Sequence, residues 1–363
     1  MNVAAGRLDR GFEKYREEFE EAALRVLRSG WYVLGWEVGN FEQSFAEYTG
    51  SKYCVGLASG LDALWLAFRV LNIKEGDEVI VQANTYIASV MGITINNATP
   101  VFVEPDEYFN MDASRIEEKI TSKTKAVLVV HLYGQASNMA QIKDICKRHN
   151  LYLVEDCAQS HGADFDGQRT GSFGDIGCFS FYPSKNLGAF GDAGAIVTDN
   201  EQIALDMKMY RNYGSRVRYY NEVVGANSRL DEIQAALLSV RLSHMTELNE
   251  ERKQIAERYL ENIHNDRLVL PKVRDNATSV WHQFVVRCET RDELAAYLKD
   301  RGIGTIIHYP VPPHLSKAYE YLNIPKGALP ITEKYADTVL SIPCYNGLTT
   351  EEQDAVIQAL NEY

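Results

Sequence analysis

The chain has 363 residues, with 37 Lys plus Arg against 50 Asp plus Glu and a net charge of −13. Apolar residues make up 45% and charged residues 24%, the composition of a folded protein with about two domains. That excludes an intrinsically disordered chain, and the acidic balance argues against nucleic acid or an anionic membrane as a partner.

Other classes fall away on simple patterns. No apolar run reaches the roughly 18 residues needed to span a bilayer. The N-terminal stretch MNVAAGRLDRGFEKYREEFEEA lacks a signal-peptide core. The cysteines (Cys54, Cys146, Cys157, Cys178, Cys288, Cys344) are scattered and form no CxxC. They read as small buried residues of a cytoplasmic protein, not as a disulfide framework or a zinc site.

In chain order, residues 12–29 predict an amphipathic helix. Phe12, Tyr15, Phe19, Ala22, Ala23, Val26 and Leu27 share one face, and Gly30 is placed to end it. YCVGLA (53–58) is a short apolar run, and 61–71 reads as a helix. A strand at 78–82 is followed by a helix at 86–97, and a strand at 100–104 by a helix at 114–120. Residues 126–134 contain a strand, 138–150 form a helix and 151–156 a strand. This alternation predicts an α/β fold with a mostly parallel sheet covered on both faces. Ligands of such sheets bind beyond the carboxyl ends of the strands.

The pattern changes after residue 200. The stretch beginning at Glu201 looks helical, 215–227 looks like loop or hairpin, and 228–263 reads as one long helix or a kinked pair. The expected boundary lies near 235–250. It divides the chain into a large domain, 1–240, and a smaller C-terminal α+β domain, 241–363.

Three stretches suit chemistry. Ser59-Gly60-Leu61-Asp62 joins a strand to a helix, where free backbone N–H groups and the helix dipole hold an anion. An ordinary tight turn is the alternative. Glu155-Asp156 ends an apolar strand, where an acid pairs with a cationic ring nitrogen or a metal, or caps the next helix. His161 nearby is a ligand or a hydrogen-bonded structural residue. Lys185 stands in FSFYPSKNLGAFGDAG (179–194), among aromatic residues and glycines. Desolvation lowers a lysine's pKa and leaves a neutral amine able to condense with an aldehyde. A solvated loop lysine is the alternative. Together with Tyr86 as an aromatic cover, these parts have the layout of a pyridoxal phosphate (PLP) site.

The motifs GLASGLDAL (56–64), GDEVIVQANTYIAS (76–89), VHLYGQ (130–135), VEDCAQSHGA (154–163), the 171–198 stretch and GANSRLDEIQAALL (225–238) resemble one family. They are similar, in this order, to the fold-type I, PLP-dependent nucleotide-sugar aminotransferases of the DegT/DnrJ/StrS group. The resemblance implies that Lys185 carries the cofactor and moves the proton, and that Asp156 partners the pyridinium nitrogen. It implies Gln159 at the ring hydroxyl and Tyr86 stacked on the ring. Ser59, Gly60, Leu61 and Ser180 are implied at the phosphate. It gives Asn227 to the phosphate of a second subunit, hence a homodimer with shared sites.

The form GLDAL, with Leu61 where many relatives have Thr or Ser, and SGWYVLG (29–35) resemble the subgroup acting on dTDP-linked 3-oxo-6-deoxyhexoses. L-glutamate is the implied amino donor. Tyr182, His308 and Tyr309 are candidate hexose contacts. Arg216, Arg218 and Arg229 are candidate cations near the subunit junction. The alternatives are an aminotransferase for a 4-keto UDP- or dTDP-sugar and a non-catalytic PLP-binding regulator.

Overall fold

The computed structural model describes residues 2–363; position 1 of the expected 1–240 domain lies outside the described residues. The chain begins with helices α1 (Asp9–Lys14), α2 (Arg16–Ser29) and α3 (Trp36–Thr49). Next come β1 (Tyr53–Leu57), α4 (Gly60–Val70), β2 (Glu78–Gln82), α5 (Ile87–Thr94), β3 (Thr99–Val103) and β4 (Thr124–Val130). They are followed by α6 (Met139–His149), β5 (Tyr152–Asp156), the short β6 (Asp164–Phe165) and β7 (Gln168–Arg169), β8 (Ile176–Ser180) and β9 (Gly194–Thr198). Then come α7 (Glu201–Tyr210), the hairpin β10 (Ser215–Val217) and β11 (Tyr220–Asn221), α8 (Glu232–Ser243) and α9 (Met245–Asn262). The tail holds β12 (Leu268–Val269), β13 (Phe284–Cys288), α10 (Arg291–Asp300), α11 (Pro330–Thr338), β14 (Val339–Ile342) and α12 (Thr350–Glu362).

Seven strands form the main sheet in the order β1-β9-β8-β5-β4-β2-β3. The pairings β2–β3, β2–β4, β4–β5 and β5–β8 are parallel. β9 runs antiparallel to both β8 and β1. β1 therefore points the same way as β8, and the carboxyl ends of β1, β2, β4, β5 and β8 share one edge of the sheet.

Strand alternation feeds two cores. Val79, Val81, Ala126 and Leu128 pack with α4 and α5 on one face. Ile80, Val127 and Val129 pack with Met139, Ile142 and Ile145 of α6 on the other. α2, α3 and α8 cover the β8–β9 end through Phe19, Phe41, Phe45 and Leu238. A separate core joins α9, α10, α12, β13 and β14, and Val3 from the N-terminal segment packs into it. Among the described residues, no helix is long and apolar enough to cross a membrane.

Several expected elements differ. The 12–29 helix is broken at Tyr15, whose φ/ψ of −128°/30° is not helical, although Gly30 does end it in the left-handed region at φ 69°. Residues 114–120 form two 3₁₀ turns, Ala113–Arg115 and Glu117–Lys119, with too few apolar anchors to extend them. The 86–97 helix is trimmed to α5. α3 has no counterpart among the expected elements, yet it buries Val38, Phe41, Phe45 and Ala46. The 228–263 pattern is a kinked pair, broken at His244.

Candidate active site

The shared carboxyl edge opens onto a cavity of about 450 Å3. Ser59, Gly60, Leu61, Tyr86, Asp156, Gln159, Ser180, Tyr182, Lys185, His308 and Tyr309 all line it. Of the expected site residues, Asn227 does not. It is exposed and bridges to Asn212.

The anion cradle is built by a close approach. Ser59 is the N-cap of α4, and its Oγ accepts from the Asp62 amide at 3.1 Å. The amides of Gly60 and Leu61 lie in the first turn, where no helical carbonyl can pair with them. A Cβ at Gly60 would lie 2.4 Å from the Ser180 Cβ, and one at Gly194 would lie 2.3 Å from the Ser59 carbonyl. Two glycines thus let the start of α4, the end of β8 and the start of β9 meet around one spot, with the Ser59 and Ser180 side chains at the cavity wall.

The two acids ending β5 point to opposite faces, as strand alternation requires. Asp156 lines the cavity, accepting from Ser89 Oγ at 2.7 Å and from the Ala158 amide at 3.1 Å. Burial pushes its carboxyl up, while Ser89, the Ala158 amide and Lys185 pull it back. Glu155 is fully buried on the other side. It accepts from the amides of Gly171, Phe173 and Gly174 at 2.8–2.9 Å and pairs with His131 Nε2 at 3.0 Å. His131 Nδ1 accepts from the Ser137 amide, so the proton sits on Nε2 and is donated to Glu155. His131, Glu155 and Cys157 cluster closely enough to suggest metal ligands, but the Glu155 oxygens are already filled by these donors.

Lys185 is the one lysine in the cavity wall. Its amide donates to the Tyr182 carbonyl at 2.8 Å, which fixes the tight loop after β8. Burial drives its amine down to about 8, opposed by the charge of Asp156. A neutral amine is therefore accessible close to physiological pH, and the half-buried position of Lys185 in the cavity wall disfavours the solvated-loop alternative.

Gln159 links the cavity floor to the smaller core. Its Oε1 accepts from the Tyr133 amide at 2.6 Å and its Nε2 donates to the Tyr309 hydroxyl at 3.1 Å. Tyr309 in turn lies 5.2 Å from the Tyr86 ring. Tyr86 is half exposed and lines the cavity. His308 donates or accepts at Ser341 Oγ through Nδ1 at 2.8 Å, and burial followed by Lys185 lowers it to about 4. The Tyr133 hydroxyl donates to the His308 carbonyl.

His161 is not at the cavity. It is fully buried against Phe179 and Phe181, with no hydrogen-bond partner on either ring nitrogen, and burial lowers it to about 3. Of the candidate cations, Arg216 pairs with Asp206 and Glu222, Arg229 bonds Asn212 and Arg218 lies over Tyr219. The sequence reading missed Ser89, Asp192, His282 and Gln283, all in the cavity wall. Ser89 had a signal, since it lies three residues beyond Tyr86 on a helix face. His282 and Gln283 had a weaker one: a polar pair interrupting the apolar run around Trp281 and Phe284.

The model of the DegT/DnrJ/EryC1/StrS aminotransferase family matches residues 13–361. The chain belongs to that family. It is 51% identical over 351 residues to a dTDP-3-amino-3,6-dideoxy-alpha-D-galactopyranose transaminase of Aneurinibacillus thermoaerophilus, covering 96% of each chain. It is 46% identical to a dTDP-3-amino-3,4,6-trideoxy-alpha-D-glucose transaminase of Streptomyces venezuelae, covering 98% of this chain and 94% of the relative. The crystal structure of S. venezuelae DesV superposes with a TM-score of 0.98 at 46% identity, covering 99% of this chain and 98% of DesV. The fold is therefore that of the fold-type I enzymes, and the cofactor of this DegT-family chain is PLP. The residues fit it: a desolvated amine, a buried acid, an exposed ring and a cradle that a Cβ would fill stand in one cavity.

Proposed function

We propose that the chain transfers the amino group of L-glutamate to C3 of a dTDP-3-oxo-6-deoxyhexose. The products are 2-oxoglutarate and a dTDP-3-amino-3,6-dideoxyhexose. The observation that carries this reading is Lys185, a half-buried residue whose amine desolvation lowers to about 8 and which shares one cavity with the buried Asp156. The regiochemistry and carrier are supported by the two relatives above, both named for 3-amino dTDP-sugars.

PLP supplies an aldehyde that takes up amino groups and a ring that holds the electron pair released at the substrate carbon. Asp156 holds the proton on the ring nitrogen, and Ser89 with the Ala158 amide orients its carboxylate. Ser59, Ser180 and the Gly60 and Leu61 amides bind the phosphate. Tyr86 covers the ring, and Gln159 donates to its hydroxyl. Lys185 Nζ takes the proton from Cα of the donor. In the second half-reaction it delivers a proton to C3 of the sugar, an efficient transfer because the amine is tethered beside both carbons. Tyr182, His308 and Tyr309 position the hexose.

Asn227 is exposed and does not line its own chain's cavity, which suits a role at the phosphate of a second copy. A homodimer with shared sites follows. The half-reaction is the first test. L-glutamate alone should bleach the visible band of the bound cofactor and release one 2-oxoglutarate per site. An unchanged band would overturn the reading.

A further inference from the structure

A second cavity, of about 160 Å3, adjoins the first; Ser184, Lys185, His282, Gln283 and His308 line both. The charged residues in the rest of its wall are all arginines. Arg241 of α8 and Arg252 of α9 line it, and no Asp or Glu among the described residues does. Arg7 also lines it, but its charge is met by Asp9.

Arg241 and Arg252 lack that compensation. Arg241 makes one hydrogen bond, Nη1 to the Gly188 carbonyl at 3.1 Å, and lies over the Phe19 and Phe190 rings. Arg252 is buried. Its Nε donates to Asn346 Oδ1 at 2.9 Å and its Nη1 to the carbonyls of Cys344 and Trp281 at 2.9 and 3.2 Å. Glu251, the acid that acts on Arg252, is taken up by Lys14, Asn346 and the Gly347 amide. Burial, then the neighbouring Arg252, pushes Arg241 down to about 10.

Two desolvated guanidinium groups without an anion are costly, and the cost is relieved by a ligand that brings the charge. The Nε and Nη2 of Arg241, with no hydrogen bond among the described residues, form a planar fork that matches the two oxygens of a carboxylate, and Arg252 adds its Nη2, the one guanidinium nitrogen its carbonyl and Asn346 partners leave free. We propose that this chamber takes a carboxylate of the amino donor, with Arg241 and Arg252 as its ligands. The inference rests on the aminotransferase reading: a donor reacting at Lys185 and extending into the second cavity meets these arginines. It makes the enzyme selective for dicarboxylic donors over neutral ones.

The test uses glutarate, a dicarboxylate with no amine to react, titrated calorimetrically into the holoenzyme. Saturable binding that weakens at least tenfold in Arg241→Met is expected. Equal affinity in wild type and variant overturns the proposal, as does displacement of glutarate by equimolar chloride or inorganic phosphate. If Arg241→Met does not fold, Arg241→Lys keeps the charge and loses the fork. Weakened binding there supports the site and unchanged binding overturns it. The half-reaction with L-glutamate is read separately. If wild type fails to bleach with L-glutamate, the donor assignment fails. If wild type and Arg241→Met bleach with the same glutamate dependence, the donor stands and the chamber is refuted.

Discussion

Ser89 Oγ donates to Asp156 Oδ2 at 2.7 Å, joining the first turn of α5 to the end of β5 beneath the cavity. The bond crosses 67 positions of sequence and holds a buried carboxylate in its charged form. A hydrogen bond to a charged group contributes about 1.5–3 kcal/mol. Ser89→Ala should therefore weaken cofactor binding about tenfold or more. Burial already raises Asp156, and losing Ser89 raises it further. The acid limb of the kcat/KM profile should move to higher pH. An unmoved limb would mean that Asp156 does not hold the ring proton.

Lys185 sets a second pH dependence. Its folded pKa, about 8, lies below the ordinary lysine value of 10.5. Only the neutral amine reacts with the cofactor aldehyde, so the rate at which apoprotein takes up PLP should rise with pH. Its midpoint should lie near 8. Stopped-flow absorbance checks this, and a midpoint near 10.5 would mean a solvated lysine.

Three desolvated histidines tie stability to acid. His161 is lowered to about 3, His308 to about 4 and His282 well below its ordinary value, in each case chiefly by burial. Below pH 6.5 the unfolded chain binds protons that the folded chain refuses. Stability should fall from about pH 6.5 downward, by up to about 1.4 kcal/mol per pH unit for each histidine that stays neutral. Urea midpoints between pH 7 and 5 measure it. His161→Phe, which keeps the ring among Phe179 and Phe181, should flatten the slope.

The cradle depends on backbone proximity. Gly60→Ala would place a Cβ 2.4 Å from the Ser180 Cβ and force α4 away from β8. A loss of about 1–3 kcal/mol in stability is expected from such overpacking. Thermal unfolding of the apoprotein measures that loss. A larger loss of PLP affinity should accompany it, read by fluorescence titration.

The proposed shared site predicts complementation. Lys185→Ala and Asn227→Asp homodimers should each be nearly inactive. Mixed and re-associated, they should regain activity, because one site of each heterodimer combines an intact Lys185 with an intact Asn227. Failure to regain activity in proven heterodimers would remove Asn227 from the partner's site.

Much of this was legible from residue types at strand ends. Asp156 and Lys185 stand out because an acid and an amine follow apolar strands at a sheet edge; Asp156 is buried and Lys185 half-buried. Period-two alternation also decided between neighbours: Asp156 faces the cavity and Glu155 the opposite side. The smaller core's share was hidden. His282 and Gln283 reach the cavity only through the packing of β13 on β14 and the Arg252 contacts, which no local pattern encodes. α3 was missed because its apolar face is interrupted by Glu37 and Glu42, acids that are buried and paired with Arg25 and Arg211. The Arg241–Arg252 chamber joins two helices across their break at His244, a relation invisible in one dimension.

The central claim is amino transfer to C3 of a dTDP-linked sugar, with Lys185 moving the proton. Its most direct test is incubation of the purified protein with L-glutamate and a panel of dTDP-3-oxo- and UDP- or dTDP-4-oxo-deoxyhexoses, with products identified by mass and by NMR of the aminated carbon. Amination at C3 of the dTDP-3-oxo sugars is predicted, and Lys185→Ala should lose it by at least about 100-fold. Amination confined to the 4-oxo substrates, or turnover retained by Lys185→Ala, would contradict the account.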